Sequence, residues 1–169
     1  AEGVRSAKEV VRLARAFGMK VLISDPYVSD VETVSLEKLL SESDFVVPLA
    51  VASAETEYLI NASALKTMRK GSFLINVSRG NLVDEQALEA ALKSGHLGGC
   101  AMDVGRAPDQ MPSLPLASRP DVIATPHLAG LTVPAIEHQS METAAQAAEI
   151  VKDRVPKGAV NSEHWTRKP

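Results

Sequence analysis

The chain has one cysteine, Cys100, among 169 residues. A single thiol excludes an internal disulfide framework and a cysteine-rich zinc site, and it fits a reducing compartment. Aromatic residues make up only 4% of the chain, so a core has to be built from Ala, Val, Leu and Ile. Basic charge is not in excess: 18 Lys and Arg stand against 21 Asp and Glu, for a net charge of −3. A chain so balanced has little with which to neutralise a phosphate backbone, which argues against nucleic-acid binding. Apolar runs are short and interrupted, so no membrane span is expected. The opening residues, AEGVRSAKEV, lack the apolar stretch of a secretory signal. These absences predict a cytoplasmic protein without a metal site.

What remains is an ordinary globular mixture, 45% hydrophobic and 23% charged. A chain of this size hides roughly 70% of its unfolded surface, enough for one core. Short apolar runs alternate with longer amphipathic ones. Val10, Leu13, Ala14 and Phe17 recur at helical spacing over 6–17, with Gly18 as the stop. Residues 20–24 read as a buried strand closed by Asp25-Pro26. A short helix over 36–40 has Ser35 as its cap, and a strand follows over 44–49. Asn61 caps a helical turn reaching Met68, and 72–77 is a third strand. Asp84 starts a helix to Lys93 with Gly95 past its end, and strands over 98–104 and 122–124 lie beyond it. Thr132 caps a long helix to Val151 with Pro134 in its first turn. Residues 105–121 carry four prolines and are expected to form a surface loop.

Alternating strands and helices imply crossover connections and a doubly wound parallel α/β sheet. Ligands in such sheets bind beyond the carboxyl ends of the strands. The residues found there are Asp25-Pro26-Tyr27, Val77-Ser78-Arg79-Gly80, Asp103-Val104-Gly105 and Thr125-Pro126-His127. Each has a plain reading: a turn at Asp25, a backbone cap at Asp103, solvated loop side chains at Arg79 and His127. Each also has a chemical one. An acid closing a strand can accept ribose hydroxyls, which favours NAD over NADP. An arginine can hold a carboxylate bidentately. A histidine can exchange a proton near neutrality.

Three stretches together resemble the D-isomer-specific 2-hydroxyacid dehydrogenase family. VVRLARAFGMKVLISDPY is similar to the first helix and second strand of its NAD-binding domain. LINVSRGNLVDEQALEAALKSGHLGGCAMDV resembles its central signature, and TPHLAGLT its histidine segment. The likeness covers about residues 3–161. It implies a Rossmann-like domain over 1–155, a tail over 156–169, and NAD as cofactor. By resemblance Arg79 binds the carboxylate of a 2-oxo or 2-hydroxy acid and His127 is the acid/base. Cofactor contacts fall to Asp25, Pro26, Val77, Ser78, Arg79, Asp103, His127 and Gly130, with Asp103 facing the nicotinamide amide. A homodimer is implied as well.

The chain departs from the family pattern in four places. The glycines of G-x-G-x-x-G fall on Glu2, Val4 and Ala7, where side chains obstruct close approach to a pyrophosphate. The strand before that loop, the sheet's central one, has no counterpart. Without it, 20–24 and 44–49 are expected to lack a direct partner in the rest of the sheet. Pro108 stands where the family's catalytic acid belongs, leaving adjacent Asp109 as the candidate substitute and Arg106 unable to serve as an anion. LAVAS over 49–53 replaces H-x-P-L-T and is read as a changed adenine-side wall. The substrate domain is also missing. The expectation is therefore an NAD-dependent 2-hydroxyacid dehydrogenase of which this is the C-terminal part. The alternative is a non-catalytic nucleotide-binding or dimerisation remnant; a corepressor-like module has no supporting motif. Among other residues, His96 and His138 read as solvated, Cys100 as a buried inert thiol, and Trp165 as either an anchor of the tail or a contact for the missing domain.

Overall fold

A computed structural model describes residues 2–159. The described residues fall into two compact units, one up to His127 and one from Leu128 onward. In the first unit, α1 (Glu2–Ala16) is followed by α2 (Leu36–Glu42), β1 (Phe45–Val46), α3 (Ala62–Thr67) and β2 (Phe73–Asn76). Then come α4 (Glu85–Lys93), β3 (Gly99–Met102), α5 (Leu114–Ala117) and β4 (Val122–Ala124). The second unit holds α6 (Val133–Val151). Trp165 lies outside the described residues.

The helices begin where side chains can satisfy their free amides. Ser35 accepts from the Lys38 N–H at 3.2 Å. Asn61 Oδ1 accepts from Ser63 and Ala64, and Asp84 Oδ1 from Gln86 and Ala87. Gly18 closes α1 at φ +77°, a left-handed turn that glycine adopts without strain. The apolar stripe of α1 is open to solvent at Val10, Leu13 and Phe17.

The four strands are parallel and lie in the order β1-β2-β3-β4. Phe45 and Val46 pair with Phe73 and Leu74. The expectation that 44–49 would lack a partner in the sheet is thus corrected. In a doubly wound sheet this strand lies beside both the central strand and the next one out, so it keeps one neighbour when the other is missing. Residues 20–24, by contrast, form no strand in this sheet. Their carbonyl at Ile23 accepts from Val34 at 2.8 Å, which pairs them with the segment ahead of α2 instead.

The core is aliphatic, as the scarcity of aromatics requires. Leu65, Leu74, Leu82, Leu88, Met102 and Leu116 are fully buried around β2 and β3. Each such side chain contributes roughly 1.5–3 kcal/mol relative to exposure. The five described aromatics are all exposed, and Phe45 stacks on Phe73 at 5.4 Å. Residues 105–121 are more than a loop. They contain α5, whose Leu116 plugs the core, because apolar side chains between the prolines reach the sheet. His96 is not simply solvated either: Nε2 meets the Leu65 carbonyl at 3.0 Å. Its own carbonyl accepts from Gly71. His138 is exposed on α6 beside Glu142. Cys100 is buried, and burial pushes its thiol up to about 12.

Candidate functional site

Parallel strands present their carboxyl ends on one edge, and the sequence places chemistry after each of three neighbours. Arg79 follows β2, Asp103 follows β3 and His127 follows β4. The ladder continues one step past the strands. Asp103 N–H donates to Asn76 O at 3.0 Å, and Thr125 N–H to Met102 O at 2.9 Å. The three strand ends from which these residues follow are therefore neighbours.

Asp103 is 4% exposed, and its Oδ1 accepts from Thr125 Oγ1 at 2.5 Å. A buried carboxylate needs such donors to stay charged. Two residues on, His127 N–H donates back to Thr125 O at 3.0 Å around Pro126. That tight turn sets His127 at φ +55°, a left-handed conformation uncommon outside glycine. The imidazole is half-buried. Arg79 is exposed, and Nη1 donates to the Ser78 carbonyl at 2.8 Å. Its outward-facing guanidinium keeps further donors for a ligand carboxylate.

One residue that holds the turn carrying Arg79 escaped the sequence reading. Asn76, the last residue of β2, is fully buried. Its Nδ2 donates to Arg79 O at 2.9 Å and its Oδ1 accepts from Ser78 N–H at 3.2 Å. The signal was an amide closing an otherwise apolar strand, SFLIN, where burial requires both of its ends to be bonded.

Glycines bring the neighbouring loops together. A Cβ on Gly80 would lie 2.1 Å from Gly105 O, and one on Gly105 would lie 2.3 Å from Met111 O. Arg106 then turns away from the strand ends. It pairs with Glu57 at 2.7 Å and lies 4.5 Å over the Tyr58 ring. Hydrogen bonds from Asn81 and Arg106 hold the Glu57 carboxyl below the usual carboxylate range. A shallow pocket walled by Ala52, Ser53, Ala54, Glu57 and Asn81 lies alongside. The LAVAS stretch also approaches here, since Ser78 Oγ donates to Ala50 O at 3.4 Å.

Asp109 is turned into its own loop: Oδ1 accepts from Met111 N–H at 3.1 Å. Gln110 returns to Gly105, whose N–H it accepts at 2.9 Å. Pro108 is exposed on the same loop. Asp25 Oδ1 accepts from Tyr27 N–H at 2.9 Å, the local turn of its plain reading, with Pro26 exposed between them. Tyr27 Oη reaches Glu55 at 3.2 Å, and that bond raises the phenol's pKa. Val77 is exposed beside Ser78. Gly130 belongs to the second unit, and a Cβ there would meet nothing. No cluster of metal-ligating side chains occurs among the described residues.

Residues 5–129 match the D-isomer specific 2-hydroxyacid dehydrogenase, NAD binding domain family. The chain belongs to that family. It is 38% identical over 144 residues to the (S)-sulfolactate dehydrogenase of Chromohalobacter salexigens, covering 80% of this chain and 45% of that one. It is 32% identical over 169 residues to the glyoxylate reductase of Thermofilum pendens, covering 95% and 49%. Among solved structures it is similar to D-lactate dehydrogenase from Aquifex aeolicus complexed with NAD and lactic acid. There the TM-score is 0.79 at 30% identity, over 86% of this chain and 50% of that one. The chain thus spans about half the length of the curated relatives it matches.

The family's NAD-binding domain meets its cofactor through several parts, and this chain fits them unevenly. The buried Asp103, locked by Thr125, offers a fixed carboxylate at the centre of the strand ends. The pyrophosphate part does not fit. Glu2, Val4 and Ala7 all lie within α1, not in a glycine turn ahead of it.

Proposed function

We propose that this chain is the cofactor-binding half of an NAD-dependent D-2-hydroxyacid dehydrogenase, domain 1–155 with a tail beyond. The observation that carries this reading is the row Arg79, Asp103 and His127 on three adjacent strand ends, tied together by Asn76 and Thr125. NAD, when bound, accepts or returns the hydride at C2 of the substrate. Arg79 supplies a planar fork of donors for the substrate carboxylate. His127 takes the hydroxyl proton in the oxidative direction and returns it in the reductive one. Asp103 would hold the nicotinamide amide and Asp25 the adenosine ribose. Pro26, Val77, Ser78 and Gly130 complete the cofactor contacts. Asp109 remains the nearest candidate in sequence for the missing acid, although one of its oxygens is committed to Met111.

The substrate is a small 2-hydroxy or 2-oxo acid, and the partner a second copy of the chain. Neither nucleic acid nor membrane enters this reading, and a cytoplasmic location belongs to it. No described helix is long and apolar enough to cross a membrane. The test is oxidation of NADH by the full-length protein with glyoxylate, hydroxypyruvate and related 2-oxo acids. Turnover is expected, together with weaker NADH binding in Asp25→Ala; no turnover with any of them at high enzyme concentration sinks the proposal. A second reading, a non-catalytic nucleotide-binding or dimerisation remnant, is favoured by Pro108 and by Glu2, Val4 and Ala7 standing where the family has glycines. It predicts a folded dimer with little affinity for NADH.

A further inference from the structure

We infer that Asn76 is the positioning residue for Arg79, holding the arginine's backbone so that its guanidinium meets a substrate carboxylate in one geometry. The inference rests on the dehydrogenase reading for what Arg79 does. A long, exposed side chain defines a binding geometry only if its root is fixed. The root here is fixed from two sides. On one, the fully buried Asn76 amide takes both polar groups of the turn, donating to Arg79 O and accepting from Ser78 N–H. On the other, Gly80 rests on the backbone of Gly105. An amide can donate and accept at once; aspartate keeps the acceptor and loses the donor, and alanine keeps neither.

The same arrangement runs on to His127. The main-chain carbonyl of Asn76 accepts from Asp103 N–H, the Asp103 carboxylate accepts from Thr125 Oγ1, and the Thr125 carbonyl accepts from His127 N–H. The carboxylate clamp and the proton carrier are therefore referenced to one continuous line of hydrogen bonds. Thr125 is held to Asp103 by its side chain and holds His127 by its main chain, so its link to His127 is indirect.

The experiment compares the full-length protein with Asn76→Asp, Asn76→Ala, Thr125→Val and Thr125→Ser. In Asn76→Asp the KM for the 2-oxo acid is expected to rise about ten-fold while the NADH dissociation constant stays within about two-fold. In Thr125→Val kcat falls by a similar factor with KM little changed, and Thr125→Ser restores it. An unchanged KM in folded Asn76→Asp overturns the proposal, as does an equal loss of NADH affinity, which marks general loosening. Should Asn76→Asp fail to fold, the KM of Asn76→Ala for the 2-oxo acid carries the test, and an unchanged KM there overturns it. Amide exchange is read independently of activity. In Asn76→Ala the Ser78 amide is expected to exchange about ten-fold faster while the β2 amides hold. If the unmodified protein reduces no 2-oxo acid, the dehydrogenase reading fails. The pinning is then judged on exchange alone: faster exchange at Ser78 supports it and unchanged exchange overturns it.

Discussion

Gly80 and Gly105 touch backbone to backbone, so the turn after β2 and the turn after β3 lie closer than any side chain would permit. The contact joins the strand end that carries Arg79 to the one that carries Asp103.

Alanine at position 105 should therefore be costly. Its Cβ would meet the Met111 carbonyl and the Pro112 backbone at 2.3–2.5 Å, and backbone cannot swing aside as a flexible side chain can. Gly105→Ala is expected to lower stability by about 3 kcal/mol, the upper range for overpacking. Gly80→Ala should do the same. Chemical denaturation checks both, and a loss under about 1 kcal/mol would mean that the loops part easily.

Arg79 and His127 should fail differently. Arg79→Lys replaces the planar fork with a point charge, so KM for the 2-oxo acid should rise about 100-fold while NADH still binds. His127→Gln removes the proton carrier, so kcat should fall about 10²- to 10⁴-fold. Steady-state kinetics on the full-length protein, with NADH fluorescence titration alongside, separates the two patterns.

Cys100 should be inert at neutral pH, because its thiol ionises only at about 12 in the fold. Labelling by iodoacetamide is expected to be slow in the native protein and rapid in denaturant. The same shift makes stability pH-dependent. Between an ordinary thiol value of 9.0 and about 12, the unfolded chain loses this proton and the folded one keeps it. The native state binds more protons there, so stability falls as pH rises through that window. Cys100→Ala should remove this component of the alkaline loss, as denaturation curves across the range will show.

Ser72 points to a stabilising change. Its hydroxyl is buried without a hydrogen-bond partner among the described residues. Removing an unsatisfied polar group is neutral or favourable, so Ser72→Ala is expected to add up to about 1 kcal/mol. A lowered melting temperature would show that the hydroxyl is satisfied in solution.

Much of the fold was legible because its signals are local. Ser35, Asn61 and Asp84 are caps in the sequence and in the structure for the same reason: each offers an oxygen to free helical amides. The neighbourhood of strand 44–49 was not local information. It depends on which strand lies beside which, and pairing across a crossover leaves no mark in a short apolar run. The short helix Leu114–Ala117 was hidden by its prolines, which read as loop although one of them sits in its first turn. The strand ends that carry Arg79, Asp103 and His127 were visible because strands can be found from periodicity. Asn76 was not, since a polar residue inside a strand announces nothing until its burial is known.

The backbone at His127 has a consequence of its own. At φ +55° the chain takes a path that glycine follows freely and that costs a residue with a Cβ about 1 kcal/mol. Conformation alone would choose the smaller residue at this position. An imidazole stands there instead, so two demands compete at a single Cα, and the smoother turn has given way to a group that can carry a proton.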